Sequence, residues 1–189
     1  MTDEPRFFFD YVDPLCWLWE RTLAARAEVV GARVRRHPLE LRPPPAELLD
    51  PEDPTWRARW ERVRETLPPE DRPPLPRIVP WTRKAHELTL HATGKGLAGE
   101  VHEGLFRAYV SEGRDIGRVD VLVALAETAG LDRSETKAVL DVDRMSGEVA
   151  RLREEAERLG IRGVPSLLSG ERRLEGASPG ELEAFLDTL

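Results

Sequence analysis

Asp13 and Cys16 are the residues with the clearest chemical potential, in the stretch FFFDYVDPLCWLWE over residues 7–20. Asp followed by Pro is typical of a helix start, because the carboxylate accepts a free backbone N–H and Pro fits the first helical position. Cys16 then lies in the first helical turn, where unpaired N–H groups can lower a thiol pKa. Asp13 is therefore a helix cap alone or also a group with a chemical or binding role. Cys16 is either a small buried apolar residue or a reactive single thiol.

The rest of the chain contains no further cysteine and no pattern of metal ligands that could act together with Asp13 and Cys16. Cys16 is the one cysteine of the chain, so an internal disulfide and a cysteine-based zinc site are excluded. A lone thiol fits a reducing compartment, and we expect the protein in the cytoplasm. The four histidines lack a tight ligand spacing, and we expect no metal; they are His37, His86, His91 and His102.

Composition limits the partners. The 189 residues carry a net charge of -7, which argues against a general nucleic-acid binder because no positive excess is available to displace phosphate counterions. The N-terminus has no basic segment followed by a long apolar run, and no stretch approaches the ~18 apolar residues of a membrane span. We therefore expect neither secretion nor membrane insertion.

The elements that must position the pair follow from apolar patterns. A strand over 6–12, a helix over 14–30 and a strand over 32–41 form a βαβ unit. Near the other end, the spacing predicts an amphipathic helix over 143–159 and then a hairpin within 161–176. A last helix begins at Ser178, with Pro179 at its first position and Glu181 three residues after the cap.

The middle of the chain has a different character. Prolines crowd residues 43–80, with one short helix at 54–66, and residues 81–142 are helix-like throughout. We predict a discontinuous domain from residues 1–42 and 143–189, and a proline-rich approach with a helical insertion at 43–142. Trp56, Trp60 and Trp81 in the approach could floor a ligand pocket, or they could only anchor a weakly structured segment.

This order resembles the thioredoxin fold, an α/β fold of the form β-α-β … α-β-β-α, interrupted by a helical insertion. More narrowly, the chain resembles the DsbA-like family, in particular its FrnE-type branch, and the related 2-hydroxychromene-2-carboxylate isomerases and kappa-class glutathione transferases. Four segments carry the likeness along nearly the whole chain: FDYVDPLCWLW, LFRAYVSEGRDIG, GIRGVPSLL and LEGASPGELEAFL.

The resemblance implies roles for the helix start. Redox members of the family open this helix with Cys-x-x-Cys, so Asp13 stands at the nucleophile's place and Cys16 at that of the resolving thiol. In the isomerase and transferase relatives a serine at the first place helps to activate glutathione. An ionised Asp13 would repel a glutathione thiolate, so neither chemistry carries over unchanged.

The resemblance also implies a second site element. Val164-Pro165 matches the loop where the family has a cis-proline, which leaves the backbone N–H and C=O of Val164 free to pair with an extended substrate. The residues expected in catalysis are Asp13, Cys16 and Pro165. Those expected to bind substrate are Val164, Pro14 and Trp17.

Three functions remain open at this point. The first is a DsbA-family oxidoreductase that lacks the first cysteine and has at most monothiol chemistry through Cys16. The second is a glutathione-dependent isomerase or transferase acting on a small electrophilic or aromatic substrate. The third is a non-catalytic module that binds a peptide or ligand. No cofactor is expected beyond glutathione as a co-substrate, and the expected partner is an extended peptide, a small thiol or an electrophile in the cleft. A homodimer stays open.

Overall fold

A four-stranded sheet forms the centre of the fold, in a computed structural model that describes residues 4–30 and 34–189, with side chains for 4–26 and 34–189. The strands are β1 (Arg6–Phe9), β2 (Arg35–Pro38), β3 (Ser166–Ser169) and β4 (Arg172–Glu175), in the order β2-β1-β3-β4. β1 pairs in parallel with β2 and antiparallel with β3, and β3 pairs antiparallel with β4. This is the sheet expected for the thioredoxin fold.

The central position of β1 explains its sequence. Phe7, Phe8 and Phe9 are all fully buried, because a strand covered on both faces needs a continuous apolar run rather than an alternating one. β4 is an edge strand and carries exposed Arg172 and Arg173, a charge pattern that discourages pairing with another chain.

Eight helices of the described chain surround this sheet. They are α1 (Pro14–Val30), α2 (Pro54–Glu65), α3 (Arg83–Thr93), α4 (Ala98–Phe106), α5 (Val119–Thr128), α6 (Arg133–Asp141), α7 (Ser146–Arg158) and α8 (Pro179–Leu186), with a π-helical turn over Arg107–Ser111 after α4 and a 3-10 turn at Pro69–Asp71. α1 packs against α2 and α8, whereas α7 contacts β2 and α3. The predicted order of elements is confirmed. The division into two domains stays a prediction, and buried residues of both regions belong to one hydrophobic cluster.

Local signals set the helix starts. Asp53 caps α2 by accepting the N–H of Trp56, and Ser178 and Glu181 form the predicted capping box of α8. The hairpin between β3 and β4 turns through two residues, and Gly170 there has a φ of 58° that suits glycine.

The predicted bounds were too long at three places. The strand expected over 6–12 ends at Phe9. The side chain of Asp10 accepts the N–H of Leu41, and the backbone carbonyl of Asp10 accepts the N–H of Asp13. These two hydrogen bonds turn the chain after Phe9. The second strand covers only Arg35–Pro38 of the predicted 32–41, of which residues 32 and 33 lie outside the described residues. α7 begins at Ser146 rather than at 143, because Asp143 has a φ of 51° that interrupts a helix.

Candidate functional site

The start of α1 is built around the Asp13 side chain. Its Oδ1 accepts the backbone N–H of Cys16 at 2.9 Å, and its carbonyl accepts the N–H of Trp17 at 3.3 Å. Asp13 is therefore the N-cap of α1, with Pro14 at the first helical position, as the sequence predicts. Only 1% of Asp13 is exposed, so the second carboxylate oxygen needs a partner inside the protein.

Arg59 of α2 supplies that partner. Its Nε donates to Asp13 Oδ2 at 2.5 Å, and its Nη2 donates to the carbonyl oxygen of Val164 at 2.7 Å. One guanidinium thus joins the first turn of α1 to the loop before β3. We call this arrangement of Asp13, Arg59 and Val164 the clasp.

Opposing effects act on the charges of the clasp. Burial raises the pKa of the Asp13 carboxyl, while the charge and hydrogen bond of Arg59 and the N–H of Cys16 pull in the other direction. Burial alone would lower the pKa of Arg59, but the Asp13 carboxylate outweighs it and the pKa is raised. The carboxylate therefore depends on Arg59 for its negative charge.

Cys16 is enclosed beneath the clasp. Its side chain is fully buried, and burial raises the pKa of the thiol well above its ordinary value, with the Asp13 carboxylate adding to the effect. The expectation that the helix start could lower this pKa is wrong, because desolvation and a neighbouring negative charge act against the thiolate. Of the two roles considered for Cys16, the geometry favours that of a small buried apolar residue.

The loop before β3 lies opposite the helix start. The Val164–Pro165 peptide bond is cis, Pro165 is buried, and its carbonyl accepts the N–H of Gly176 at 2.9 Å. The expectation that both backbone groups of Val164 are free needs correction, because the carbonyl already accepts Arg59. A ligand that pairs with this carbonyl has to replace one Arg59 hydrogen bond.

Pro14 and Trp17 complete the predicted set, and the structure places them differently. Pro14 is buried in the first turn of α1 beside Asp13. Trp17 lies one turn further along, with the Arg21 guanidinium 5.0 Å from its ring centroid, and lines a separate groove of about 950 Å³ between α1, α3 and α4. The sequence-predicted residues thus gather at the clasp with the exception of Trp17.

A buried polar network forms one wall of that groove. Tyr11 Oη is 2.6 Å from Thr89 Oγ1 and 3.0 Å from His102 Nδ1, and His102 Nε2 is 3.2 Å from Glu20 Oε2 without meeting hydrogen-bond geometry. Burial would raise the pKa of the Glu20 carboxyl, but His102 and Arg36 together outweigh it and lower the pKa. The network keeps Glu20 ionised and ties α1 to β2, α3 and α4.

Arg59 is the functional residue that sequence reasoning missed. It lies 46 residues from Asp13 and 105 from Val164, in a helix in which Arg57 and Arg62 are exposed. Its one sequence signal is a weak one. The charged helix over 54–65 carries two arginines between its two tryptophans, and nothing in their spacing distinguishes Arg59 from Arg57.

Residues 4–30 and 34–189 contain no group of three or more His, Cys, Asp or Glu side chains placed to hold a metal ion. Within the same ranges, no helix combines the length and the apolar character needed to span a membrane.

Comparison with known proteins places the chain in a family. A family model described as "DSBA-like thioredoxin domain" matches residues 6–187. The chain belongs to the DsbA-like thioredoxin family. A relative in Bacillus subtilis (strain 168), the uncharacterized protein YwbO, is 30% identical over 185 residues, which cover 94% of this chain and 92% of that protein.

Solved structures show the same fold at lower identity. The probable DsbA oxidoreductase SCO1869 from Streptomyces coelicolor is 24% identical with a TM-score of 0.81, covering 98% of this chain and 87% of its own. The cytosolic disulfide reductase DsbM from Pseudomonas aeruginosa, solved with GSH, is 22% identical with a TM-score of 0.72 and 97% coverage of both chains. A 2-hydroxychromene-2-carboxylate isomerase is 18% identical with a TM-score of 0.77, covering 97% of this chain and 93% of its own. Proteins described as oxidoreductases and a protein described as an isomerase therefore share this fold.

Proposed function

We propose that this DsbA-family chain binds an extended peptide or a small ligand at the clasp and does not exchange disulfides. The observation that carries the proposal is the guanidinium of Arg59, which bridges the buried Asp13 carboxylate and the Val164 carbonyl. An ion pair occupies the position at which the redox relatives are expected to hold their nucleophilic sulfur.

The requirements of disulfide exchange support the proposal that this chain does not exchange disulfides. Disulfide exchange needs an attacking thiolate and a second thiol to release the mixed disulfide. Cys16 is the single cysteine, is fully buried, and has a raised pKa. The first of the three hypotheses, monothiol chemistry through Cys16, is therefore less favoured than a binding role.

The geometry of the clasp supports the proposal that a peptide or ligand binds there. An extended backbone that pairs with the loop before β3 would bring an N–H to the Val164 carbonyl, in the manner of strand addition. It would replace the hydrogen bond from Arg59 Nη2, while Arg59 Nε stays on Asp13. Because 28% of the Arg59 side chain is exposed, the released nitrogen can hydrate or pair with an acceptor on the ligand.

Two assays test the proposal. Insulin reduction with dithiothreitol should proceed no faster with the protein than without it, and clear acceleration would contradict the absence of exchange. Peptides selected from a phage-displayed library of unstructured heptapeptides should bind about tenfold more tightly to an Arg59→Met/Asp13→Asn variant, which frees the carbonyl without leaving a buried charge. Arg57→Met, an exposed arginine of the same helix, should leave the affinity unchanged, and equal affinities for all three proteins would count against binding at the clasp.

A glutathione-dependent reaction is the second candidate, favoured by one observation. Arg59 offsets the charge of Asp13, which removes much of the repulsion expected between an ionised Asp13 and a glutathione thiolate. Calorimetric titration with glutathione tests this candidate. Heat that disappears in Arg59→Met would support it, and no measurable heat with the unaltered protein would dismiss it.

The cytoplasm remains the proposed location. It is supported by the single cysteine and by the likeness in fold to a disulfide reductase described as cytosolic. Fractionation of cells that express the untagged chain would test it.

A further inference from the structure

A second cavity lies beside the clasp and plays no part in the proposal above. It has a volume of about 280 Å³ and is enclosed by the end of β1, the segment 41–49, the start of α2 and the segment 79–82. Val12 and Trp56 are among its lining residues. We call it the Trp56 pocket.

The walls of the Trp56 pocket are fixed by contacts between distant segments. Leu49 and Val79 form an antiparallel bridge, and Trp81 Nε1 donates to the carbonyl of Ala46 at 3.0 Å. Trp56 is 8% exposed and belongs to the hydrophobic core. The pocket is therefore preformed, which lowers the ordering cost of binding.

The inside of the pocket favours an uncharged guest. Its lining is mostly aliphatic and aromatic. Of its polar groups, Asp10 and the Nε of Arg42 are paired, whereas the buried Trp56 Nε1 has no hydrogen-bond partner. The Asp10 oxygens accept from Leu41 N at 2.8 Å and face His86 Nε2 at 3.2 Å, and Arg42 Nε donates to the Glu47 carbonyl at 3.0 Å. The unpaired donor inside is the neutral Trp56 indole N–H, which can meet a polar acceptor on the guest but does not compensate the water that a charged group would lose.

The rim of the pocket is unusually apolar for a protein surface. Leu48 is 48% exposed and Trp81 is 40% exposed, and both line the pocket. Within the described residues only Val142 and Leu189 are also exposed large hydrophobic side chains, so half of that set meets at one opening. Apolar side chains that cluster at a concave opening mark a binding site rather than ordinary surface.

The volume indicates the size of the guest. A dry engineered cavity of about 150 Å³ takes benzene, so 280 Å³ suits an aromatic group of about two fused rings. The pocket also adjoins the clasp along the chain. Val12 precedes Asp13, and Trp56 lies three residues before Arg59 on the same helical face.

We propose that the Trp56 pocket binds an uncharged bicyclic aromatic group, and that this group is a side chain of the peptide held at the clasp. The second part rests on the proposed function, and the first part does not. A tryptophan side chain has the size, the lack of charge and the planarity that the cavity requires. The pocket would thus set the side-chain preference of a site whose backbone contacts are indifferent to sequence.

Indole itself is the first probe. In a nitrogen–proton correlation spectrum, the five tryptophans of the full chain provide five indole N–H signals. Added indole should shift the signals of Trp56 and Trp81 and leave those of Trp17 and Trp19 in place. Shifts spread over all five signals, or none at all, would overturn the pocket. Indole-3-acetate should bind about tenfold more weakly than indole, and equal or tighter binding would contradict an uncharged site.

A matched pair of variants localises the effect. Leu48→Glu puts a charge on the rim at an exposed position and should weaken indole binding about tenfold. Val142→Glu makes the same change at a residue that is 64% exposed and lines none of the three described cavities, and it should have no effect. Equal effects of the two variants would refute the assignment to the Trp56 pocket.

Capped tripeptides separate the two parts of the proposal. N-acetyl-Gly-Trp-Gly-amide should bind more tightly than indole and more tightly than the Gly-Ala-Gly analogue, and Arg59→Met/Asp13→Asn should change its affinity but not that of indole. If indole binds the pocket and the tripeptide gains nothing over it, the link to the clasp fails while the pocket stands. If indole does not bind, the pocket itself is refuted, whatever peptides do at the clasp.

Discussion

The first two helices of this protein begin in the same way and end up with different roles. α1 starts with Asp13-Pro14 and α2 with Asp53-Pro54, and in both the Asp Oδ1 accepts the backbone N–H three residues on at 2.9 Å. In local geometry these are the same cap. The surroundings differ, because Asp13 is 1% exposed and paired with Arg59, whereas Asp53 is partly exposed.

The comparison shows what turns a helix cap into a candidate site. Both caps satisfy the first helical turn, which is a local requirement. Only at Asp13 does the second carboxylate oxygen face the interior, so that a charged group from another element must compensate it. That compensation is the clasp, and it reaches the loop of Val164 as well.

The largest difference between the two caps should appear when each Asp is replaced by Cys and the rate of insulin reduction is measured. In Asp13→Cys the new thiol would lie at a helix start beside the Arg59 guanidinium, which favours the thiolate, with Cys16 three residues away as the second thiol. We expect insulin reduction about a hundredfold above the background of the unaltered protein. Asp53→Cys is the matched control and should stay at background. No gain in Asp13→Cys would mean that more than the missing sulfur separates this chain from its redox relatives.

Removing the cation of the clasp should destabilise the fold in a pH-dependent manner. Arg59→Met leaves a buried carboxylate unpaired, and we expect a loss of about 2–3 kcal/mol at pH 7, below the usual cost of a fully buried pair because Arg59 is partly exposed. The pKa of Asp13, already raised by burial, should rise further. When the pKa of a carboxyl is higher in the folded state, the carboxyl costs no stability at a pH below its unfolded value of about 3.9, where it is protonated in both states. The cost appears as the pH rises and the unfolded chain ionises. The destabilisation caused by Arg59→Met should therefore be small near pH 3.

Urea unfolding at pH 3, 5 and 7 would measure this. The double variant Arg59→Met/Asp13→Asn has no carboxyl to ionise at position 13, so its loss of stability relative to the unaltered protein should not grow as the pH rises. Arg57→Met controls for loss of a surface arginine and should cost less than about 0.5 kcal/mol. A loss for Arg59→Met that is equal at all three pH values would show that Asp13 is not charged in the clasp.

Replacing the two capping Asp residues by Ala should lower the free energy of unfolding by different, smaller amounts. Asp53→Ala should cost about 1 kcal/mol, the usual value of a helix N-cap. Asp13→Ala loses the same cap and also leaves Arg59 with one partner, so we expect about 2 kcal/mol. Thermal unfolding of the two variants side by side would measure the difference. Equal costs would mean that the clasp adds nothing to stability.

The smallest expected effect concerns the thiol. Because Cys16 is fully buried and its pKa is raised, the folded protein should keep its mass after treatment with oxidised glutathione. Protein unfolded in urea should gain one glutathione adduct and serves as the positive control. A rapid adduct on the folded protein would revive the monothiol hypothesis.

Much of the fold could be predicted, since its signals are local. The Asp-Pro starts of α1 and α2, the capping box at Ser178 and the turn at Gly170 all act through neighbouring residues. Strand ends were predicted less well, because Asp10 ends β1 through a hydrogen bond to Leu41, 31 residues away. Bonds of that kind leave no periodic trace in a sequence.

The candidate site divides along the same line. The sequence by itself determined the order of elements, the cap at Asp13 and the lack of a second cysteine, because each depends on residue types at short spacing. Tertiary structure alone decided that Asp13 is buried, that Arg59 pairs with it, and that Cys16 is enclosed. Those outcomes depend on which side chains water cannot reach once distant segments pack together, and short-range patterns do not encode that.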